Sequence, residues 1–179
     1  MPSSAATIVV LAMHGAPPND LPQSLMAEYF ALHSRLGHAP GAGSADMRAR
    51  LSELDQQVRA WPRSASNDPF HANSLRLAER LSEVTGCEVV VGFNEFCAPR
   101  LADALEKAIH SEPRRVIVVT PMLTQGGEHA ERDIPAEIAR ARERYPKVPI
   151  VYAWPYPEDD VARFLAAQME RSGAKTQEA

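Results

Sequence analysis

The sequence predicts an α/β fold, three layers deep, built on a four-stranded parallel sheet, and two observations carry that prediction. Four short runs, 7–13 (TIVVLAM), 87–93 (CEVVVGF), 115–122 (RVIVVTPM) and 148–154 (VPIVYAW), are nearly continuous in Val and Ile rather than alternating. That is the pattern of strands covered on both faces. Helical patterns separate the runs, and strands alternating with helices of this size make βαβ units, with helices on both sides of the sheet.

The first strand leads into an unusually long crossover. Leu21, Leu25, Tyr29, Leu32 and Leu36 repeat at helical spacing, and the loop GHAPGAGS (37–44) ends that pattern. A second helix is expected from Met47, Leu51, Leu54 and Val58. After the loop PRSASNDP (62–69), a third carries Leu75, Ala78 and Leu81. The two Gly/Pro/Ser-rich loops mark a helical insertion at about 33–69, because the middle helix is too short to own a core. Further on, Leu101, Leu105 and Ile109 define a helix over 99–110. Ile134, Ile138 and Ala141 define one over 134–145, and Val161, Leu165 and Met169 one over 158–169. Each set lays a single apolar stripe against the sheet. One domain over 1–170 is expected, with 171–179 as a flexible tail.

Composition narrows the function classes. The chain has 179 residues, 45% hydrophobic and 23% charged, so one sizeable core is expected. A net charge of −4 argues against a nucleic-acid partner. No stretch approaches the apolar length of a membrane span, and the opening MPSSAATIVVLAM reads as a first strand rather than a signal peptide. The two cysteines, Cys87 and Cys97, make neither a disulfide framework nor a CxxC knuckle. A reducing cytoplasm is the expected setting.

In an open parallel sheet, ligands bind beyond the carboxyl ends of the strands. His14-Gly15 follows the first strand, Asn94-Glu95 the second, and Gly126-Gly127-Glu128-His129 the third. His14, Glu95 and His129 therefore come from three strand ends toward one edge of the sheet. Two imidazoles and a carboxylate suit a borderline divalent metal, and the same groups accept protons near neutral pH. Gly126 and Gly127 leave room for a ligand to approach the backbone. The plainer alternatives are a backbone-bonded His14, a Glu95 that serves the helix start near Pro99, and a solvated His129. Glu128 is expected to face solvent, Cys97 to be a small core residue, and His33, His38, His71 and His110 to lie on helix faces or loops. Asp133 is expected to cap the helix that follows, with Pro135 in its first turn. Arg100 and Arg132, nearest the proposed edge, are candidates for gripping substrate carboxylates. Phosphate-loop, dinucleotide and nucleophile-elbow motifs are absent, and MHG (13–15) lacks the arginine of an RHG opening.

Three segments together, VLAMHG (10–15), GFNEFCAPRLADAL (92–105) and VIVVTPMLTQGGEHAERDIP (116–135), resemble the CbiX-type class II chelatases, which insert cobalt or iron into sirohydrochlorin and related tetrapyrroles. WPYPEDDVARFL (154–165) is similar to that family's last strand and helix. The resemblance implies a chelatase-like fold, one half of a two-lobed architecture, in a homodimer. It implies His14 and His129 as metal-binding and proton-accepting histidines, with Glu95 beside them. Co²⁺ or Fe²⁺ would be a substrate alongside the tetrapyrrole, with no prosthetic group. Cobalt insertion in cobalamin synthesis is the first expectation and iron insertion for sirohaem its nearest rival. From another class, a non-catalytic metal or tetrapyrrole carrier is the alternative. The chain departs from the family's pattern at HGAPPNDLP (14–22), where Ser or Thr usually follows HG, and in the insertion at 33–69.

Overall fold

The computed structural model describes residues 6–37 and 43–176. Its sheet has four parallel strands, β1 (Thr7–Met13), β2 (Glu88–Phe93), β3 (Arg115–Val119) and β4 (Ile150–Tyr152), in the order β2-β1-β3-β4. Leu11 stands level with Val91 on one side and Val119 on the other, so the three longer strands run in step to a common carboxyl edge. The helices are α1 (Gln23–Gly37), α2 (Ala45–Arg59), α3 (Pro69–Thr85), α4 (Leu101–His110), α5 (Ile134–Arg144) and α6 (Glu158–Thr176).

Strand periodicity sorts the core into two faces. Ile8, Val10 and Ala12, with Val90, Val116 and Val118, pack against Leu101, Leu105 and Ala108 of α4 and Ile134 and Ile138 of α5. Leu11, Met13, Val91 and Phe93 face the other way, toward Ala78 of α3. The sheet is thus covered on both sides, as its Val/Ile runs require. Gly92 lets α4 sit close on β2: a Cβ there would lie 2.7 Å from the Ala104 Cβ and 2.9 Å from the Leu101 Cα.

The insertion is not a separate body. Leu54 and Val58 of α2 join Leu21 and Tyr29 in a third cluster whose remaining fully enclosed member, Phe96, comes from the loop after β2. Arg50 of α2 holds Glu28 of α1 through both carboxylate oxygens, at 2.7 and 2.9 Å. Ser44 caps α2 and Asp68 caps α3, each accepting the backbone N–H three residues on. Most of the loop expected at 37–44 falls at 38–42, outside the described residues, as does His38.

Several element boundaries differ from expectation. β3 ends at Val119 rather than Met122, and β4 covers only Ile150–Tyr152. The reason lies in the side chains after β4: Trp154 Nε1 donates to the Met122 carbonyl and the Tyr156 hydroxyl to the Thr120 carbonyl, so these backbone groups leave the ladder. Helix α6 continues to Thr176 where a tail was expected from 171; residues 177–179 lie outside the described residues. Among the described residues, no helix is long and apolar enough to cross a membrane.

Candidate metal centre

The three residues that follow strands β1, β2 and β3 converge. His14, Glu95 and His129 each offer one ligand atom, and these atoms lie within 4.8 Å of one another. His129 Nε2 is 3.1 Å from His14 Nε2 and 3.9 Å from Glu95 Oε1. The rings meet edge to face, with centroids 4.5 Å apart.

The outer nitrogens settle what the inner ones present. His14 Nδ1 is 2.7 Å from the Gly15 carbonyl, and a carbonyl only accepts, so Nδ1 carries the proton. His129 Nδ1 is 2.6 Å from Asp133 Oδ2, and the same logic applies to the carboxylate. Both Nε2 atoms then turn lone pairs toward each other, with a carboxylate oxygen alongside. Three electron-pair donors facing one point repel unless a cation or a shared proton lies between them. Metal–imidazole bonds of about 2.0–2.1 Å at a right angle put two nitrogens about 3 Å apart, close to the spacing seen.

Backbone geometry delivers each group. β1 and β2 remain paired past their ends, where Asn94 N donates to the Met13 carbonyl and Glu95 N to the His14 carbonyl, both at 2.9 Å. Gly15, at φ +105°, makes this approach feasible: a Cβ there would fall 1.9 Å from the Glu95 carbonyl oxygen. His129 begins a π-helical turn, His129–Asp133, that runs into α5. This overturns the expected role of Asp133. The helical path starts at His129, so Asp133 has helical dihedrals and caps nothing; its carboxylate turns back four residues to orient His129. The Tyr152 hydroxyl donates to the Ala130 carbonyl at 3.0 Å, fixing the same turn from β4. Burial, with Tyr156 nearby, pushes the Tyr152 phenol up to about 12.

The remaining candidates fare unequally. Gly126, at φ +91°, and Gly127 lie exposed in the loop before His129, with no atom within 4 Å of a Cβ at Gly126. Arg100 is committed to Asp55 of α2 at 2.6 Å and stays half exposed. Arg132 is 71% exposed and pairs with Glu128 and Asp133, so it lies along its own helix rather than over the centre. Glu128 thus has a partner at the surface. Cys97 is buried, with burial pushing its thiol up. His33 stacks on Tyr29, His71 on Phe93, and His110 meets Tyr145 edge-on.

A cleft of about 410 Å³ opens between the insertion and the α4–α5 wall, with Glu95, Asp133, Tyr29, Arg59, Arg100 and Arg140 among its lining. Burial first, then the charges of Asp55 and Glu95, push the Tyr29 phenol up to about 12. Sequence reasoning did not single out Tyr29, Asp55, Arg59 or Arg140 for this edge. The helices carrying Tyr29, Asp55 and Arg59 cross to it only through the long connection, and no short-range pattern encodes that; Arg140 reaches it from α5. Asp133 did carry a signal, since it stands four residues after His129 at helical spacing.

Residues 65–172 match the family model described as CbiX. A sirohydrochlorin ferrochelatase from Priestia megaterium is 36% identical over 70 residues, 39% of this chain and 26% of that protein. A sirohydrochlorin cobaltochelatase from Methanopyrus kandleri is 39% identical over 61 residues, 34% of this chain and 42% of that protein. The matched stretches therefore take in less than half of these relatives. The crystal structure of a cobalamin (vitamin B12) biosynthesis CbiX protein from Marinobacter aquaeolei VT8 has the same fold, with TM-score 0.53 at 18% identity over 97% of this chain and 99% of that one.

Proposed function

Because the chain belongs to the CbiX family, we propose that it inserts a divalent metal into sirohydrochlorin or a related tetrapyrrole. The observation that carries this is the convergence of His14, Glu95 and His129 at the carboxyl edge of the sheet, with both Nε2 atoms turned inward. Metalation displaces two pyrrole protons, so the site must hold the metal and also take protons away. Two imidazoles and a carboxylate supply both capacities: they bind the ion as neutral and anionic donors and can accept protons once it departs. In this scheme the macrocycle enters beside Glu95, along the cleft under the insertion. Arg100, Arg140 and the exposed Gly126-Gly127 backbone receive its periphery, and Arg132 contributes only by leaving Glu128.

Co²⁺, for cobalamin synthesis, is the first choice of metal and Fe²⁺ its rival; the same donors accept both. The chain acts as a homodimer in the cytoplasm. Supporting the dimer, Leu165 and Met169, one turn apart on α6, are 52% and 74% exposed and Phe164 beside them is 58% exposed, apolar surface left open to a second copy. The test is anaerobic incubation of pure protein with sirohydrochlorin and Co²⁺ or Fe²⁺, following the tetrapyrrole spectrum against a no-enzyme control. Acceleration that disappears in His129→Ala, with the fold intact, is the expected result. Metal or tetrapyrrole binding without acceleration would favour the carrier.

A further inference from the structure

We infer that the helical insertion is a brace for the Glu95 loop, and that Arg59 and Arg63, at and just after the end of α2, are its positioning residues. The loop needs one. Phe96 is a non-glycine residue at φ +55°, and Cys97 N folds back onto the Glu95 carbonyl at 2.5 Å. Such a turn persists only where its surroundings over-determine it.

The surroundings come from the insertion. Asp55 takes the Arg59 Nε at 2.9–3.0 Å, which aims the rest of the fork at the loop: Nη1 donates to the Cys97 carbonyl at 2.6 Å and Nη2 to the Asn94 carbonyl at 3.0 Å. Arg63 is 7% exposed and pairs with the buried Asp68. It donates to the Phe96 carbonyl at 2.5 Å and to the Ala16 carbonyl at 3.0 Å. Three of the four carbonyls from Asn94 to Cys97 thus end on two guanidinium groups. The fourth, that of Glu95, receives Cys97 N and abuts Gly15. Arg63 also ties in the segment after His14. Packing seconds the charges, since the Phe96 ring sits in the cluster of Leu21, Tyr29, Leu54 and Val58. At position 59 only arginine can do this, because its planar fork reaches two carbonyls while its Nε is held by Asp55. Both arginines precede the 65–172 stretch that the family model covers.

The brace itself is read from backbone geometry, and its consequence for metal handling rests on the proposed role of Glu95. The experiment therefore has two readouts. Amide hydrogen exchange at Glu95 and Cys97 is compared in the parent, Arg59→Met and Arg59→Lys, with sheet amides of β1 and β3 as internal reference. Co²⁺ affinity is measured calorimetrically on the same proteins and on Glu95→Gln. The expected result is exchange at Glu95 and Cys97 faster by about tenfold or more in Arg59→Met, with the sheet amides unchanged. Arg59→Lys, which keeps the charge but reaches one carbonyl, falls between. Co²⁺ affinity should fall in step with exchange and reach its lowest value in Glu95→Gln. Unchanged loop exchange in Arg59→Met overturns the brace, as does a rise shared equally by the sheet, which would mark global destabilisation. Faster loop exchange in a protein whose Co²⁺ affinity ignores Glu95→Gln upholds the brace and removes Glu95 from the metal centre instead.

Discussion

Replacing Asp133 by alanine removes the acceptor that holds His129 Nδ1 at 2.6 Å and with it the reason for the ring to present Nε2 inward. The other groups near that ring, His14 and Glu95, lie at the opposite nitrogen and cannot substitute. Loss of a carboxylate behind a metal-ligating histidine costs 10–100-fold in affinity. Asp133 is 38% exposed while His129 is 19% exposed, so the pair is partly solvated and the lower part of that range applies. We expect Co²⁺ affinity to fall about tenfold to thirtyfold, equivalent to roughly 1.4–2 kcal/mol. Asp133→Asn should lose only a few-fold, because an amide oxygen still accepts from Nδ1–H and fixes the same tautomer. Calorimetric titration of both variants, with Arg163→Ala on α6 as an exposed control whose partners are Asp159 and Asp160, provides the comparison. Affinity unchanged in Asp133→Ala, or equally poor in Asp133→Asn, would refute the orienting role.

Gly15→Ala should be destabilised by about 3 kcal/mol, since it combines a positive φ with a Cβ driven into the Glu95 carbonyl; chemical denaturation reads this, and a change under 1 kcal/mol would mean the two loops separate easily. Phe164→Glu combined with Met169→Lys should convert a dimer to a monomer in sedimentation while helix content is retained; a parent protein that sediments as a monomer at all concentrations would sink the dimer. Burial lowers the pKa of His71 from its ordinary value of 6.5. The unfolded chain therefore binds a proton more readily than the folded one, so the stability from this group is full above pH 6.5 and is lost as pH falls through the lower, folded value. The urea midpoint should drop on acidification, and the drop should be shallower in His71→Phe, which keeps an aromatic ring on Phe93.

The strands, their parallel arrangement and the edge at which the ionisable residues gather can all be read from local sequence. The reason is that burial on both faces leaves a local mark, an unbroken Val/Ile run, and that parallel strands in register place the residues after them side by side. His14, Glu95 and His129 were legible on that basis, His14 and Glu95 just beyond their strands and His129 at the end of the loop that follows the third. Helix existence was legible too, from the spacing of Leu101 and Leu105 or of Leu54 and Val58.

How those residues are held depends on contacts made only in the folded chain. Asp133 looks like a helix cap from sequence, and it becomes the partner of His129 because the π-helical turn begins four residues earlier. Nothing in the sequence around Arg59 and Arg63 points to their carbonyl partners, which lie more than thirty residues away along the chain at Asn94, Phe96 and Cys97. Side-chain-to-carbonyl bonds of that reach leave no periodicity in sequence, because any carbonyl can accept. What directs the guanidinium is the path of the insertion across the sheet edge, and that path exists only once α1, α2 and Phe96 have packed together.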